Sequence, residues 1–502
     1  CPMGEELKTK FPDIKAAAVS DWGRNHALVY GDKKISKQGY YIGEDAVNMF
    51  SLNILGGDKN PLHEPHSIVL TEETAKALFP NENPLNKIVR MDNIADLKVT
   101  AVVSKMPKNS TIRFDYLVPF SLQGAIYPDF NQQAKTDWRD NSWQIFVQLN
   151  AHTEKSTVVA KIKNVVAAHI SDENTIKNIK PEVFLQPMAK WRLYGEFENG
   201  VNTGGFIKYV KMFGILGLVV LLIACINFMN LSTARSEKRA KEVGVRKAVG
   251  SNRKQLIRQF LIESLFISSL AFGLALVITI LVLPYFNQLT EKEMSFQFTS
   301  PVFWIVMIVF TLVTGLLAGS YPAFYLSAFN PVNTLKGNLK TNSSDALPRK
   351  MLVVLQFASS VILMTGTVII YQEIQYARNR PVGFDKQGLI SVDRSESISK
   401  NYEALRSDLL SSGVVISICK SNAPPTEIYN TNSGWQWKNS QPAEKSVLFS
   451  TLATEYDYTK TLGIKMVAGR DFSRDFADSG SVILNEAAVK RMGLKDPLGE
   501  IV

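Results

Sequence analysis

Ser67-Ile-Val-Leu-Thr-Glu-Glu-Thr-Ala-Lys76 followed by Pro84-Leu-Asn-Lys-Ile-Val89 reappears as Ser481-Val-Ile-Leu-Asn-Glu-Ala-Ala-Val-Lys490 followed by Pro497-Leu-Gly-Glu-Ile-Val502. With one gap, eight of 22 aligned residues are identical. Upstream, residues 45–57, apolar at Phe50, Leu52 and Ile54, match residues 457–469, apolar at Leu462, Ile464 and Met466. One module is therefore present twice. What lies between the copies decides the class of protein. Charge is nearly absent from about 212–226, 264–286, 302–325 and 351–371. A helix of about 20 apolar residues crosses a hydrocarbon core of about 30 Å, so each run has the length of a membrane span or nearly so. A buried helix of a soluble domain seldom runs so long without charge.

The charge distribution sets an orientation. Residues 226–260 hold Arg235, Lys238, Arg239, Lys241, Arg246, Lys247, Arg253, Lys254 and Arg258 against Glu237 and Glu242, and residues 326–350 hold Lys336, Lys340, Arg349 and Lys350 against Asp345. These thirteen cations and three carboxylates account for the whole-chain net charge of +10. Basic loops stay in the cytoplasm. The loop at 287–301 carries only Glu291, Lys292 and Glu293 and fits the opposite side. Alternation then puts 1–206 and 372–502 outside. A nucleic-acid surface is disfavoured, because both basic loops flank spans and lack interleaved stacking aromatics.

Residues 1–110 read as mixed α/β. Strands are expected at 16–20, 67–70 and 98–104, and a helix over 72–79 with Thr71 as its N-cap. Residues 143–149 alternate as a strand, and 155–169 suggest an amphipathic helix with Val158, Ile162, Val165 and Val166 on one face. Three spans are expected at about 207–230, 260–286 and 302–325 within a domain over 207–350. A fourth covers 351–371, with Tyr371-Gln-Glu-Ile-Gln-Tyr-Ala-Arg378 leaving the bilayer as a stalk. The basic stretch 231–258 favours helix and an interfacial position, with Gly244 and Gly250 as breaks. Glu263 sits near the inner boundary, where reaching the headgroups or pairing with a cation is the favoured reading. Gly315-Leu-Leu-Ala-Gly319 permits a close helix crossing, although chance explains the spacing as well. Pro322 should kink or end its helix. The linker 326–350 is polar, with Thr341-Asn-Ser-Ser344 as its flexible part.

Chemistry-bearing motifs are few. No Gly-x-x-x-x-Gly-Lys-Ser/Thr occurs, so the chain is not expected to cradle ATP phosphates itself. No His-Glu-x-x-His or Cys-x-x-Cys occurs. His63 and His66 sit in a Pro-flanked loop, which favours a loop over a metal site. No catalytic or metal-binding residue is assigned. The three cysteines, Cys1, Cys225 and Cys419, form no disulfide framework. The span centres are apolar, against an ion-coupled carrier. The chain opens inside what reads as a folded domain. Its second copy stops at Val502, where the first continues Arg90-Met-Asp-Asn93. A fragment is expected, missing one span before residue 1 and more after residue 502.

The segment Ile223-Ala-Cys-Ile-Asn-Phe-Met-Asn-Leu-Ser-Thr-Ala-Arg-Ser-Glu-Lys-Arg-Ala-Lys-Glu-Val-Gly-Val-Arg-Lys-Ala-Val-Gly250 strongly resembles the MacB/FtsX-like ABC transporter permeases. Arg253-Lys-Gln-Leu-Ile-Arg-Gln-Phe-Leu-Ile-Glu-Ser264 continues the match. So does Gly319-Ser-Tyr-Pro-Ala-Phe-Tyr-Leu-Ser327, with Pro331-Val332 and Leu335-Lys-Gly337. Residues 1–190 look like the family's external core domain, and the whole resembles its tandem form. The resemblance implies an α-helical transmembrane bundle plus α+β extracytoplasmic domains, in the bacterial cytoplasmic (inner) membrane. It implies a permease subunit with no cofactor of its own, ATP being bound by a separate cytoplasmic ABC ATPase. Lys241, Glu242, Gly244, Arg246, Lys247 and Gly250 match Lys-Glu-x-Gly-x-Arg-Lys-x-x-Gly and are the implied coupling residues. ATP-driven motion of the external domains implies export or extraction of a hydrophobic or peptide-like substrate. Membrane lipid, a periplasmic adaptor or an outer-membrane channel are further partners, a two-permease assembly is implied, and nucleic acid is not. The alternative is signalling to a cell-wall hydrolase without transport. A structural or sensor membrane protein with no ATPase is the reading from another class.

Overall fold

The computed structural model describes residues 2–126, 136–138, 140–171, 176–177, 180–234, 236–328, 347–393, 396–441, 444–445 and 447–502. Cys1, Arg235, and the linker with Pro331, Leu335, Lys336, Lys340, Thr341 and Asp345 lie outside the described residues, as do the side chains of Lys238, Arg239, Lys241 and Arg349. The contacts divide the chain into two units, one of Cys1–Pro187 with Pro381–Val502 and one of Met188–Arg380.

The first unit is built on a mixed sheet. Its elements in order are α1 (Pro2–Lys10), β1 (Ile14–Ser20), β2 (Arg24–Tyr30), β3 (Lys33–Ile42), α2 (Ala46–Met49), β4 (Ile54–Gly57), β5 (Ser67–Thr71), α3 (Glu72–Leu78), β6 (Ile88–Met91), β7 (Ala95–Val103), β8 (Tyr116–Pro119), α4 (Ser121–Ile126), β9 (Gln144–Leu149) and α5 (Lys155–Ile162). Strand order is β2-β6-β7-β5-β8-β3-β1-β9, with β4 on β7. β5 runs parallel to β7 and antiparallel to β8. Flanked on both edges, it is buried at every residue, as a continuous apolar run requires. Leu70, Leu78, Leu97, Val99 and Tyr116 form the core beneath it. A second cluster joins Leu7 and Ile14 to Val158 and Ile162.

Sequence reasoning finds β1, β5, β7, β9 and α3. Thr71 caps α3 as expected, its hydroxyl accepting from the Thr74 amide. It misses the β2–β3 hairpin, whose register pairs Tyr30 with Lys33 across Gly31-Asp32. The missed signal is that two-residue turn, with Gly31 at φ +56°. The helix expected over 155–169 ends at Ile162. Its reason is local: the Lys163 carbonyl accepts from the Val183 amide rather than continuing the helix ladder.

The repeated stretch keeps its helices. Asn485 caps Glu486–Met492 by accepting from the Ala488 amide, as Thr71 does for α3. Asp45 and Asp457 stand at the N-caps of α2 and of Tyr458–Leu462. Residues 481–485 form no strand. A further parallel escaped sequence reasoning. Glu5-Glu-Leu-Lys8 on α1 corresponds to Glu403-Ala-Leu-Arg406 on Tyr402–Ser411. Lys8 pairs with Asp45 at 2.7 Å and Arg406 with Asp457 at 2.9 Å.

In the second unit, the small hairpin β10 (Glu196–Glu198) and β11 (Val201–Gly204) precedes α6 (Ile207–Ala234), α7 (Ser236–Ala248), α8 (Arg253–Thr290), α9 (Pro301–Ser327) and α10 (Leu347–Asn379). Four of these, all but α7, are long and apolar enough to cross a membrane. Their apolar side chains, such as Leu270, Leu281, Ile305 and Ile362, stand exposed. So much contiguous apolar surface requires a lipid environment. α8 begins seven residues before the expected span, and α10 is one helix through Tyr371–Arg378. Pro322 does not end α9, which continues to Ser327 with Pro322 buried inside it.

α8 and α9 cross at small residues. A Cβ added at Gly319 would lie 2.6 Å from Ser264, and one at Gly315 would lie 2.8 Å from Leu265. The Gly-x-x-x-Gly spacing is therefore a packing device rather than coincidence. α6 and α10 meet where Asn230 Nδ2 donates to Gln356 Oε1 at 3.3 Å.

Candidate functional site

The basic end of the bundle carries the implied coupling residues. α7 follows α6 in the chain and ends at Ala248. The chain then turns through Gly250, at φ +103°, where a side chain would be strained, and α8 starts at Arg253. Of the two breaks expected, only Gly250 is one. Gly244 is buried within α7. The Gln255 side chain accepts from the Asn252 amide at 2.9 Å, closing the entry to α8.

α7 is held against two spans at once. Val243, 2% exposed, enters a cluster with Leu256 and Phe260 of α8 and Ala323 and Leu326 of α9. One turn on, the Lys247 ammonium donates to the Ser327 carbonyl at 2.8 Å. This is a terminal carbonyl of α9, where a cation is favoured. Arg253 Nε also donates to the Ser327 hydroxyl, at 3.4 Å. Burial and then the neighbouring Arg253 charge push the Lys247 amine below its ordinary value. Arg246 forms a fork, donating to Glu242 Oε1 at 2.6 Å and to Gln259 Oε1 at 2.7 Å.

The opposite face of α7 is exposed among the described residues. Val245 is 51% and Val249 83% exposed, and Glu242 is exposed beside them. Residues 242, 245 and 249 recur at steps of three and four and so share a face. The structure thus brings Glu242, Arg246 and Lys247 together on one short helix, with Gly244 inside it and Gly250 at its exit. Lys241 lies on the same helix, with its side chain outside the description. Val243, Val245 and Val249 lie within seven residues of one another. The structure splits them, Val243 inward and the other two outward. Among the described residues, no three His, Cys, Asp or Glu side chains gather as a metal site.

A helical bundle with long unshielded spans, joined to an α+β domain, defines a multispanning membrane protein. Two family models match it side by side, the MacB-like periplasmic core domain over residues 2–165 and the FtsX-like permease C-terminal over 214–331. The chain belongs to the MacB/FtsX-like ABC transporter permeases, with a transmembrane bundle and an extracytoplasmic core domain. It is 24% identical over 313 residues to the uncharacterized ABC transporter permease YvrN of Bacillus subtilis, covering 60% of this chain and 70% of that one. It is 22% identical over 319 residues to the macrolide export ATP-binding/permease protein MacB of Mannheimia succiniciproducens, covering 61% and 45%. The chain thus spans less than half of that MacB protein. Among solved structures, the periplasmic region of MacB from Actinobacillus actinomycetemcomitans matches at 21% identity and TM-score 0.27, covering 35% of this chain and 80% of that one.

Proposed function

We propose that this chain is a permease subunit of the bacterial cytoplasmic membrane. It converts ATP hydrolysis by a separate cytoplasmic ABC ATPase into motion of extracytoplasmic domains on 1–206 and 372–502, and so exports or extracts a hydrophobic or peptide-like substrate. The observation that carries the reading is the double engagement of α7. One face is clamped to α8 and α9 through Val243 and Lys247. The other offers Glu242, Val245 and Val249. A short helix fixed to two spans and free on its outer face can take a push from a docked partner and move both spans as a body. The names of the relatives, an ABC transporter permease and a macrolide export ATP-binding/permease protein, support an ATPase partner and an export role.

The orientation follows the basic loops, with α7 inside and the duplicated modules outside. Glu242→Ala combined with Arg246→Ala removes the charged part of the docking face. The altered protein should insert normally and lose co-purification with an ABC ATPase from native membranes. Undiminished co-purification counts against docking at α7. In a background lacking the native cysteines, Ser251→Cys and Asn432→Cys should label from opposite sides of intact cells, and labelling from one side overturns the topology.

A further inference from the structure

We infer that the basic end of the α8–α9 pair holds an anionic phospholipid of the cytoplasmic leaflet, with its phosphate between Lys254 and Arg258 and one acyl chain in the groove below them. The site rests on the inside orientation proposed above, but not on ATPase docking. An open groove of about 360 Å³ runs along α8, and Leu316 of α9 forms its other wall. Lys254, Arg258, Leu261 and Leu265 lie on one stripe of α8, at steps of four, three and four, and all line the groove. The stripe is graded: cations at the end nearest the basic loops, then leucines. Glu263 is not among the lining residues.

The dimensions suit one lipid leaflet. From Arg258 to Leu265 the helix rises about 10 Å at 1.5 Å per residue. That is within the half-thickness, about 15 Å, of a hydrocarbon core of about 30 Å. An acyl chain beside Leu261, Leu265 and Leu316 therefore leaves its phosphate level with the two cations.

Charge decides the class of lipid. The Lys254 and Arg258 side chains are exposed, and neither has a hydrogen-bonding or ion-pairing partner among the described residues. Their neighbours are committed elsewhere, Arg246 to Glu242 and Gln259, and Arg253 and Lys247 to Ser327. Two unsatisfied cations four residues apart over an apolar groove select an anionic headgroup over a zwitterionic one, because each adds attraction to an anionic lipid surface. The occupied groove would brace the inner ends of α8 and α9, beside the cluster that seats Val243.

The test uses the full chain, reconstituted in nanodiscs of phosphatidylcholine with a minor share of phosphatidylglycerol of the same acyl chains. It is then transferred to detergent, and the retained lipids are counted by native mass spectrometry. Wild type should retain phosphatidylglycerol in preference to phosphatidylcholine. Lys254→Gln with Arg258→Gln should lower that preference by roughly tenfold or more. Lys350→Gln, which removes a cation outside the groove, should leave it unchanged. Ile262→Trp fills the groove without changing charge and should lower retention of both lipids. An equal loss in Lys350→Gln would mean a diffuse cation atmosphere and overturn the site. Wild type without preference, or a groove covered by a second copy of the chain so that no lipid is retained, would overturn it too.

Discussion

The Lys247 ammonium and the Ser327 carbonyl, 2.8 Å apart, join the end of α7 to the end of α9 across eighty residues of sequence. This bond ties the helix between the basic loop and the spans to a specific carbonyl, so tension on one reaches the other. Lys247→Ala removes the donor and leaves the Ser327 carbonyl short of a partner, at a cost of about 1 kcal/mol for a partly exposed charged donor. Amide exchange over 243–248 should rise about fivefold, as that cost implies. The protein should remain inserted. Unchanged exchange would show that Val243 alone seats α7.

Val243 and Val245 are two residues apart and face opposite ways. Val243→Asp puts a carboxylate among Leu256, Phe260 and Leu326 and should cost several kcal/mol, seen as loss of a monodisperse detergent peak. Val245→Asp adds the same charge to an exposed position. It should leave the peak and the melting temperature intact and weaken ATPase co-purification. If both variants fail to fold, α7 has no free face.

Gly319 meets Ser264 so closely that any Cβ must displace it. Gly319→Val should destabilise the α8–α9 crossing by about 1–3 kcal/mol, the usual range for overpacking. Gly214 on α6 has nothing within 4 Å of an added Cβ, so Gly214→Val is the matched control. Melting followed by fluorescence-detected size exclusion should separate the two. Equal melting temperatures would remove the crossing.

The spans were legible because absence of charge over twenty residues has one common physical cause. The Gly315–Gly319 spacing was ambiguous until Ser264 and Leu265 were seen opposite it, since a spacing names no partner. The coupling segment was legible as a motif, whereas its geometry was not. Nothing in the order Val243, Gly244, Val245 says which valine turns inward. That is decided by Ala323 and Leu326, some eighty residues away. Gly244 was misread as a break because glycine's helix cost is an average, and inside a packed crossing its lack of a side chain is tolerated.

Asp478 accepts from both Arg470 guanidinium nitrogens at 2.7 Å and from the Ser473 amide at 3.0 Å. These bonds, Arg470 foremost, hold its carboxyl well below the ordinary carboxylate value. The sign follows for a depressed acid. Its contribution is fully present above the unfolded-state value of 3.8 and is lost as the pH falls through the lower native value. Order in 470–481 should therefore be the same at pH 7 and pH 5, whereas Asp478→Asn should loosen it at both. Exchange rates over that stretch check this once corrected for intrinsic pH dependence. A marked loosening of wild type between pH 7 and 5 would contradict the assignment.

The paired bridges Lys8–Asp45 and Arg406–Asp457 place the same contact, helix to N-cap aspartate, in both copies of the repeat. Neither pair is deeply buried, so each is expected to be worth on the order of 0.5–1 kcal/mol. Asp45→Asn should therefore raise amide exchange in α1 by about two- to fivefold, as that cost implies. Asp457→Asn should do the same across Tyr402–Ser411 and Tyr458–Leu462. A double-mutant cycle with Arg406→Gln should recover the interaction, the double variant behaving no worse than Asp457→Asn alone. If the two effects simply add, Arg406 and Asp457 are neighbours without coupling, and the parallel with Lys8 and Asp45 is one of sequence alone.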